Sequence, residues 1–329
     1  MIDAPAHEGL VPAPLAWQEA GGEWAGRIAA AADASRVELA TRPRPQPRGY
    51  YRITAKATGA RRFGKVVAAA ELQRQWAAQQ LSDRAAAAGV PAQRSVGQPL
   101  AIGDGYALLM CEWIDGRFAT PSRAELAQLG GVVAALHGFL RGEPAAGRAP
   151  DPWNPLEALA SSGRIPAPVA AAAADLLRRR GEVEEQLATA LQPLHNDLHA
   201  GNLFFHGDGR VAAVLDWEEA LHSAGCPLVD LGWVVERLCF ARLGAAEAER
   251  LADAFLRAYA AAAPRFPVRP GALLDAIRFR GLYALGLIDR DESADSPAMH
   301  RERAKFESLV VASEDWRPAL GRLEAIVRG

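Results

Sequence analysis

The stretch LHNDLHAGNLFFHGDGRVAAVLDWE, Leu194 to Glu218, decides how this chain is read. Two histidines, an aspartate and two asparagines fall within His195–Asn202, in a chain otherwise rich in alanine and arginine. Helix and strand interiors avoid such clusters, because short polar side chains compete for backbone hydrogen bonds. These residues either tie down a loop or do chemistry. Downstream, Leu203–Phe205 and Val211–Leu215 are apolar and flank Gly207-Asp208-Gly209, a strong turn signal, so a β-hairpin is predicted.

With the turn at Asp208, Asn202 lies six residues before it and Asp216 eight after, at the same open end of the hairpin. Strands rise ~3.3 Å per residue and lie ~4.8 Å apart, so both side chains can face one small volume. An amide oxygen and a carboxylate are hard ligands of the kind Mg2+ takes, one or two from protein and the rest from phosphates and water. Asp197, five residues before Asn202, is placed to take a proton from a hydroxyl. The pattern H-x-D-x-x-x-x-N, followed by an aspartate after a short hairpin, suits phosphoryl transfer. That reaction needs positioning and charge neutralisation more than covalent chemistry. A lone H-x-D would be explained by a satisfied loop network; the whole set agreeing at once is harder to explain that way. No third ligand stands at zinc spacing, and the neighbouring carboxylates favour a hard ion.

Working outward, Arg36–Thr41, Tyr50–Ala57 and Arg62–Val67 read as strands punctuated by Pro and Gly, and Tyr106–Ile114 as a buried strand. Ala68–Ala88 reads as a helix ended by Gly89, and a helix is also expected around Leu15–Ala32. Beyond Gly116 the pattern turns helical, over Arg123–Leu140, Asn154–Ala160, Val169–Ala190, Asp230–Ala241 and Ala245–Ala263. The expected organisation is an extension (1–35), a small mostly β lobe (36–114) and a larger mostly helical lobe (115–329), an α+β fold.

Composition bounds the rest. Half of the 329 residues are hydrophobic, 23% are charged, and the net charge is −2, which gives no reason to expect nucleic acid or a membrane surface as partner. Cys111, Cys226 and Cys239 are an odd number without metal-ligand spacing, so a reduced, cytoplasmic protein is expected. No secretory signal or transmembrane run is evident. Lysine is rare, with Lys56, Lys65 and Lys305 its only instances.

The motifs HNDLHAGN, LDWE and PLVDLG (Pro227–Gly232) resemble those of the aminoglycoside phosphotransferase and choline kinase family, over roughly residues 36–260. The resemblance implies a protein-kinase-like two-lobe fold and an ATP-dependent transfer of the γ-phosphate to a hydroxyl of a small molecule. It implies Asp197 as catalytic base, His199 facing the γ-phosphate, and Asn202 and Asp216 holding Mg2+. His195 would brace the loop, and Asp230 would accept backbone N–H bonds from it. Lys65 would hold the α- and β-phosphates, with Lys56 as a rival, and Glu71 would pair with that lysine. The carbonyl of Glu112 and the N–H of Ile114 would bond the adenine edge, with Cys111 at the back of the pocket. The chain lacks G-x-G-x-x-G; PRPQPRG, with Arg44 and Arg48, takes its place. That absence and the lack of an A-P-E segment argue against a protein substrate. A catalytically silent nucleotide-binding or scaffold protein on the same fold is the alternative, and the intact Asp197, Asn202 and Asp216 argue against it. From Arg242 to Gly329 there are 14 Arg/Lys and 13 Asp/Glu, a balance that gives no support to a polycationic acceptor. The acidic run Asp289–Asp295 reads as solvated loop, and the aromatic residues Trp233, Tyr259, Phe279, Tyr283 and Trp316 fit core packing as well as a choline box. A neutral hydroxylated metabolite or sugar is the default acceptor.

Overall fold

Gly49, Tyr51, Ile53 and Ala55 are buried while the residues between them are half-buried, so one face of this strand meets a core. In the computed structural model, which describes residues 16–40, 47–119, 122–144, 153–290 and 296–328, that strand is the middle of a sheet. The strands are β1 (Trp17–Glu19), β2 (Ala34–Ala40), β3 (Gly49–Ala55), β4 (Arg61–Ala68), β5 (Leu100–Gly103) and β6 (Tyr106–Glu112). All neighbours are antiparallel, in the order β1-β2-β3-β4-β6-β5. Helix α1 (Gly22–Ala32) lays Ile28 and Ala32 into a cluster with Val37, Tyr51, Ile53, Val66 and Leu108. Helix α2 (Ala69–Ala87) follows β4 directly. A second sheet pairs β7 (Arg117–Phe118) with the hairpin strand Leu203–Phe205, which pairs with Val211–Val214.

The chain divides into two compact units. One holds residues 16–118 together with Gly201–Leu221; the other holds Ala119–Ala200 and residues 222–328. The sequence expectation differs at both ends of the first unit. Residues 16–35 are no appendage, because β1 pairs with β2 and α1 packs into the sheet's core. The helix expected from Leu15 begins only at Gly22, since Gly21 and Gly22, the latter at φ +77°, interrupt it and β1 precedes it. The hairpin joins this unit through β7. Leu15, Arg44 and residues 291–295 of the acidic run lie outside the described residues.

The second unit is helical: α3 (Arg123–Arg141), α4 (Asn154–Ser161), α5 (Ala167–Arg178), α6 (Arg180–Ala188), α7 (Leu228–Val234), α8 (Ala245–Ala262), α9 (Ala272–Ile288), α10 (Pro297–Ala312) and α11 (Arg317–Val327). Ser122 and Glu125 close a capping box at the start of α3. The single helix expected over Val169–Ala190 breaks at Arg179, whose guanidinium reaches Asp175 at 2.6 Å and Asp275 at 2.8 Å. The helix expected over Asp230–Ala241 is α7 continued by a π-helical stretch, Val235–Phe240. No helix among the described residues is long and apolar enough to cross a membrane. The cysteines are free and buried.

Helices α3 and α8 meet closely at Gly130, where an added Cβ would lie 2.3 Å from the carbonyl oxygen of Phe255. The next residue, Gly131, has nothing within 4 Å of that position. Neighbouring substitutions should therefore have opposite signs. Gly130→Ala is expected to destabilise by about 1–3 kcal/mol through overpacking. Gly131→Ala should stabilise by about 0.5–1 kcal/mol through helix propensity. Urea unfolding of the two variants checks the pair.

Candidate active site

In the helical unit the polar loop starts from a short ladder, Gln192–Pro193 against Ala224–Gly225, and Leu194 N–H donates to Ser223 O at 3.1 Å. The loop then turns through Asn196, a non-glycine residue at φ +61°. Such a conformation persists where the surroundings hold it. Here the N–H of Asn196 donates to Asp230 Oδ1 at 2.7 Å, the N–H of His195 donates to Asp230 Oδ2 at 3.0 Å, and the Asn196 amide donates to Ser223 Oγ at 2.8 Å. Asp230, in the first turn of α7, is wholly buried. Its Oδ2 also lies 3.1 Å from Nε2 of His137 on α3, and His137 Nδ1 lies 2.9 Å from the Tyr259 hydroxyl on α8. Burial pushes the Tyr259 hydroxyl well above its ordinary range.

Asp197 follows, partly buried, with His199 Nε2 at 3.5 Å from its Oδ2. Burial alone would raise the Asp197 carboxyl. The hydrogen bond from His199 and the charges of His199, His195 and Arg280 outweigh it and hold the carboxyl below its usual range. The group is therefore a carboxylate at neutral pH.

In the sheet-bearing unit, the hairpin pairs Leu203 with Val214, and Leu215 N–H donates to Asn202 O at 2.8 Å. Asn202 and Asp216 thus leave the hairpin at one end, Asn202 8% exposed and Asp216 at φ +60°. Trp217 Nε1–H anchors the exit by donating to Val214 O at 3.0 Å. The donor set here is an amide oxygen and a carboxylate, without sulfur or imidazole beside them in the hairpin. It fits a hard divalent cation that keeps most of its shell as water and phosphate oxygen. Among the described residues no group of three His, Cys, Asp or Glu gathers as a metal cage.

Lys65 on β4 donates to Gln75 Oε1 and Glu218 Oε1, both at 2.7 Å. The pairing expected with Glu71 is not formed. Helix α2 starts at Ala69, so Glu71 sits in its exposed first turn, where Arg48 holds it at 3.1 Å. Gln75, one turn further on the same face, is buried and takes the place beside Lys65. Glu218 supplies the charge from two residues past Asp216. Burial would raise its carboxyl, but Lys65, a hydrogen bond from Gln75 and the charge of Arg74 leave it lowered. Lys56, the rival, is exposed beyond the end of β3. At the end of β6, Glu112 donates its N–H to Arg94 O at 2.8 Å, and its carbonyl accepts from Gln93 Nε2 at 3.1 Å. Ile114 follows in the irregular stretch 113–116, half-buried. Cys111 is buried with Sγ 3.1 Å from Gln79 Oε1, and burial pushes its thiol up to about 12.

The sequence reading missed Gln75, Glu218, His137 and Tyr259. Glu218 stood in the opening stretch itself. For His137 the available signal was a histidine on the otherwise apolar face of α3. Nothing local marked Gln75 or Tyr259.

Residues 46–266 match the family described as phosphotransferase enzyme family. No curated protein matches the chain in sequence. Among solved structures, a spectinomycin phosphotransferase bound to AMP superposes with a TM-score of 0.60 at 11% identity, over 92% of this chain and 99% of that one. An amicoumacin kinase in complex with AMP-PNP, Ca2+ and Ami gives 0.59 at 15% identity, over 85% and 89%. A choline kinase from Streptococcus pneumoniae gives 0.56 at 15%, over 86% and 96%. The fold is the protein-kinase-like fold of these small-molecule kinases.

Two outcomes test the geometry without any activity. Asp230→Ala leaves two loop N–H groups and His137 without their acceptor and should destabilise by about 3–5 kcal/mol in urea. Lys65→Ala should cost about 1–3 kcal/mol, because Glu218 and Gln75 lose a charged donor. Lys56→Ala should stay within about 0.5 kcal/mol. Equal effects of the two lysine variants would refute the Lys65 contacts.

Proposed function

Because the chain belongs to the phosphotransferase enzyme family, we propose that it transfers the γ-phosphoryl group of ATP to a hydroxyl of a small molecule. The observation that carries this reading is Asp197: partly buried yet held ionised, on a loop whose backbone is tied to a buried carboxylate. A carboxylate with a lowered pKa is a weak base. In a loose phosphoryl-transfer transition state that suffices, since little charge develops on the attacking oxygen before the bond to the leaving group lengthens. Asp197 orients the hydroxyl and receives its proton late, while the oxygen bonds to the γ-phosphorus and ADP departs with the bridging oxygen.

In this reading Lys65 neutralises the α- and β-phosphates, with Glu218 and Gln75 fixing its ammonium. Asn202 and Asp216 would hold Mg2+, which would supply neutralisation of phosphate charge. His199, beside Asp197, faces the γ-phosphate. Glu112 and Ile114 present a carbonyl and an N–H to the adenine edge. Glu71, engaged by Arg48, contributes at most indirectly. The spectinomycin phosphotransferase and the amicoumacin kinase were crystallised with AMP and AMP-PNP, which supports an adenine nucleotide as donor. The near balance of charge beyond Arg242 gives no support to a polycationic acceptor.

Mg2+·ATP at ~100 times its dissociation constant should add ~2.7 kcal/mol of stability and raise Tm, and Asp216→Ala should abolish that gain. Asp197→Asn should keep the gain and lose at least ~100-fold in turnover, with water as acceptor where no alcohol is known. No change in Tm with Mg2+·ATP would sink the nucleotide reading. Full turnover by Asp197→Asn would sink the base assignment, and a Tm gain without any turnover by the parent would leave a nucleotide-binding protein.

A further inference from the structure

We propose that Arg280 is a positioning residue for this reaction: from α9 it clamps the main-chain carbonyl of Asn196 and thereby fixes the peptide that carries Asp197. The proposal rests on the reading above that Asp197 orients the acceptor hydroxyl. Arg280 Nη2 donates to Asn196 O at 2.8 Å. That carbonyl belongs to the peptide group joining Asn196 to Asp197, so its direction sets the torsions on either side and with them the aim of the Asp197 side chain.

The neighbouring bonds do not fix this peptide by themselves. Asp230 holds the N–H of Asn196, and Ser223 holds its side chain. Both act on the N-terminal side of the residue at φ +61°. The carbonyl on its C-terminal side is held by Arg280. The guanidinium is well suited to the task, because it is itself immobilised. Its central carbon lies 4.8 Å from the Trp233 ring centroid and 5.7 Å from that of Tyr283. A planar cation can stack on rings and donate in its own plane at once, which an ammonium cannot.

Arg280 also bears on charge. The charged and titratable groups around the Asp197 carboxyl are His199 and His195 on its own loop, Arg280 from α9, and Asp230 from α7 beneath the loop. Removing Arg280 removes a cation that favours the ionised form, so the Asp197 midpoint must rise. A brace that served folding alone would lower stability and leave the kcat and KM of the folded protein where they were.

The test uses the full chain, Mg2+·ATP hydrolysis by water as the turnover probe, and carbon-13 carboxyl titration of aspartate-labelled protein, with the Asp197 signal assigned by Asp197→Asn. Arg280→Met is expected to lower kcat about 10- to 100-fold, with KM for ATP within about 2-fold. The acid limb of kcat and the Asp197 midpoint should both move up. Arg280→Lys keeps the charge without the planar fork, so its midpoint should stay near the parent's while kcat remains reduced. Parent-level kcat in both folded variants overturns the proposal. Where Arg280→Met does not fold, the lysine variant decides: reduced kcat with intact nucleotide-induced Tm gain supports the clamp, and full kcat overturns it. Failure of the underlying reading is separately visible as full turnover in Asp197→Asn.

Discussion

The carboxylate of Asp230 is the constraint from which the polar loop of the helical unit follows. A buried carboxylate is costly unless its oxygens are satisfied. Here they are met by two consecutive loop N–H groups and by His137, itself braced against Tyr259. The first two donors converge only when Asn196 takes its left-handed turn. The loop's conformation and the solvation of Asp230 are therefore one condition, and α3, α7 and α8 must all be in place to meet it. The strained residue next to Asp197 is stable because the alternative strands a charge in the core.

Much of this was legible in the chain because it is local. Period-two alternation and Pro-Gly punctuation marked β2, β3 and β4, and the Gly-Asp-Gly turn fixed the hairpin that brings Asn202 and Asp216 to one end. What escaped was decided by partners far away in sequence. Lys65 could be placed on its strand, but its partner Glu218 lies 153 residues on. Helical phase alone did not distinguish Glu71 from Gln75, which share a face one turn apart. Arg48, reaching back from the start of β3, made the difference. His137 went unmarked because its polar contacts lie 93 and 122 residues downstream.

The residues proposed to handle phosphate and metal, Lys65, Asn202, Asp216 and Glu218, all belong to the sheet-bearing unit, while Asp197, Asp230 and Arg280 belong to the helical one. The two proposed sets are thus built on different cores. Under that proposal, kinetic effects of distant core mutations should sort by unit into nucleotide and acceptor terms.

The sheet-bearing unit is discontinuous in the chain, and that has a consequence for how the protein is made. Its second sheet needs Arg117–Phe118 and a hairpin that begins at Leu203. A nascent chain that has emerged only through β7 holds a strand edge without its partner, with the whole of α3 to α6 still to come. Loop closure over that distance costs only slowly growing entropy, but the open edge is exposed for as long as the ribosome takes to deliver the hairpin, at ~5–20 residues per second. The unit that begins first is complete only at Leu221, after residues 119–200 of the other unit have already been made, so neither unit can be finished before synthesis of the other has begun.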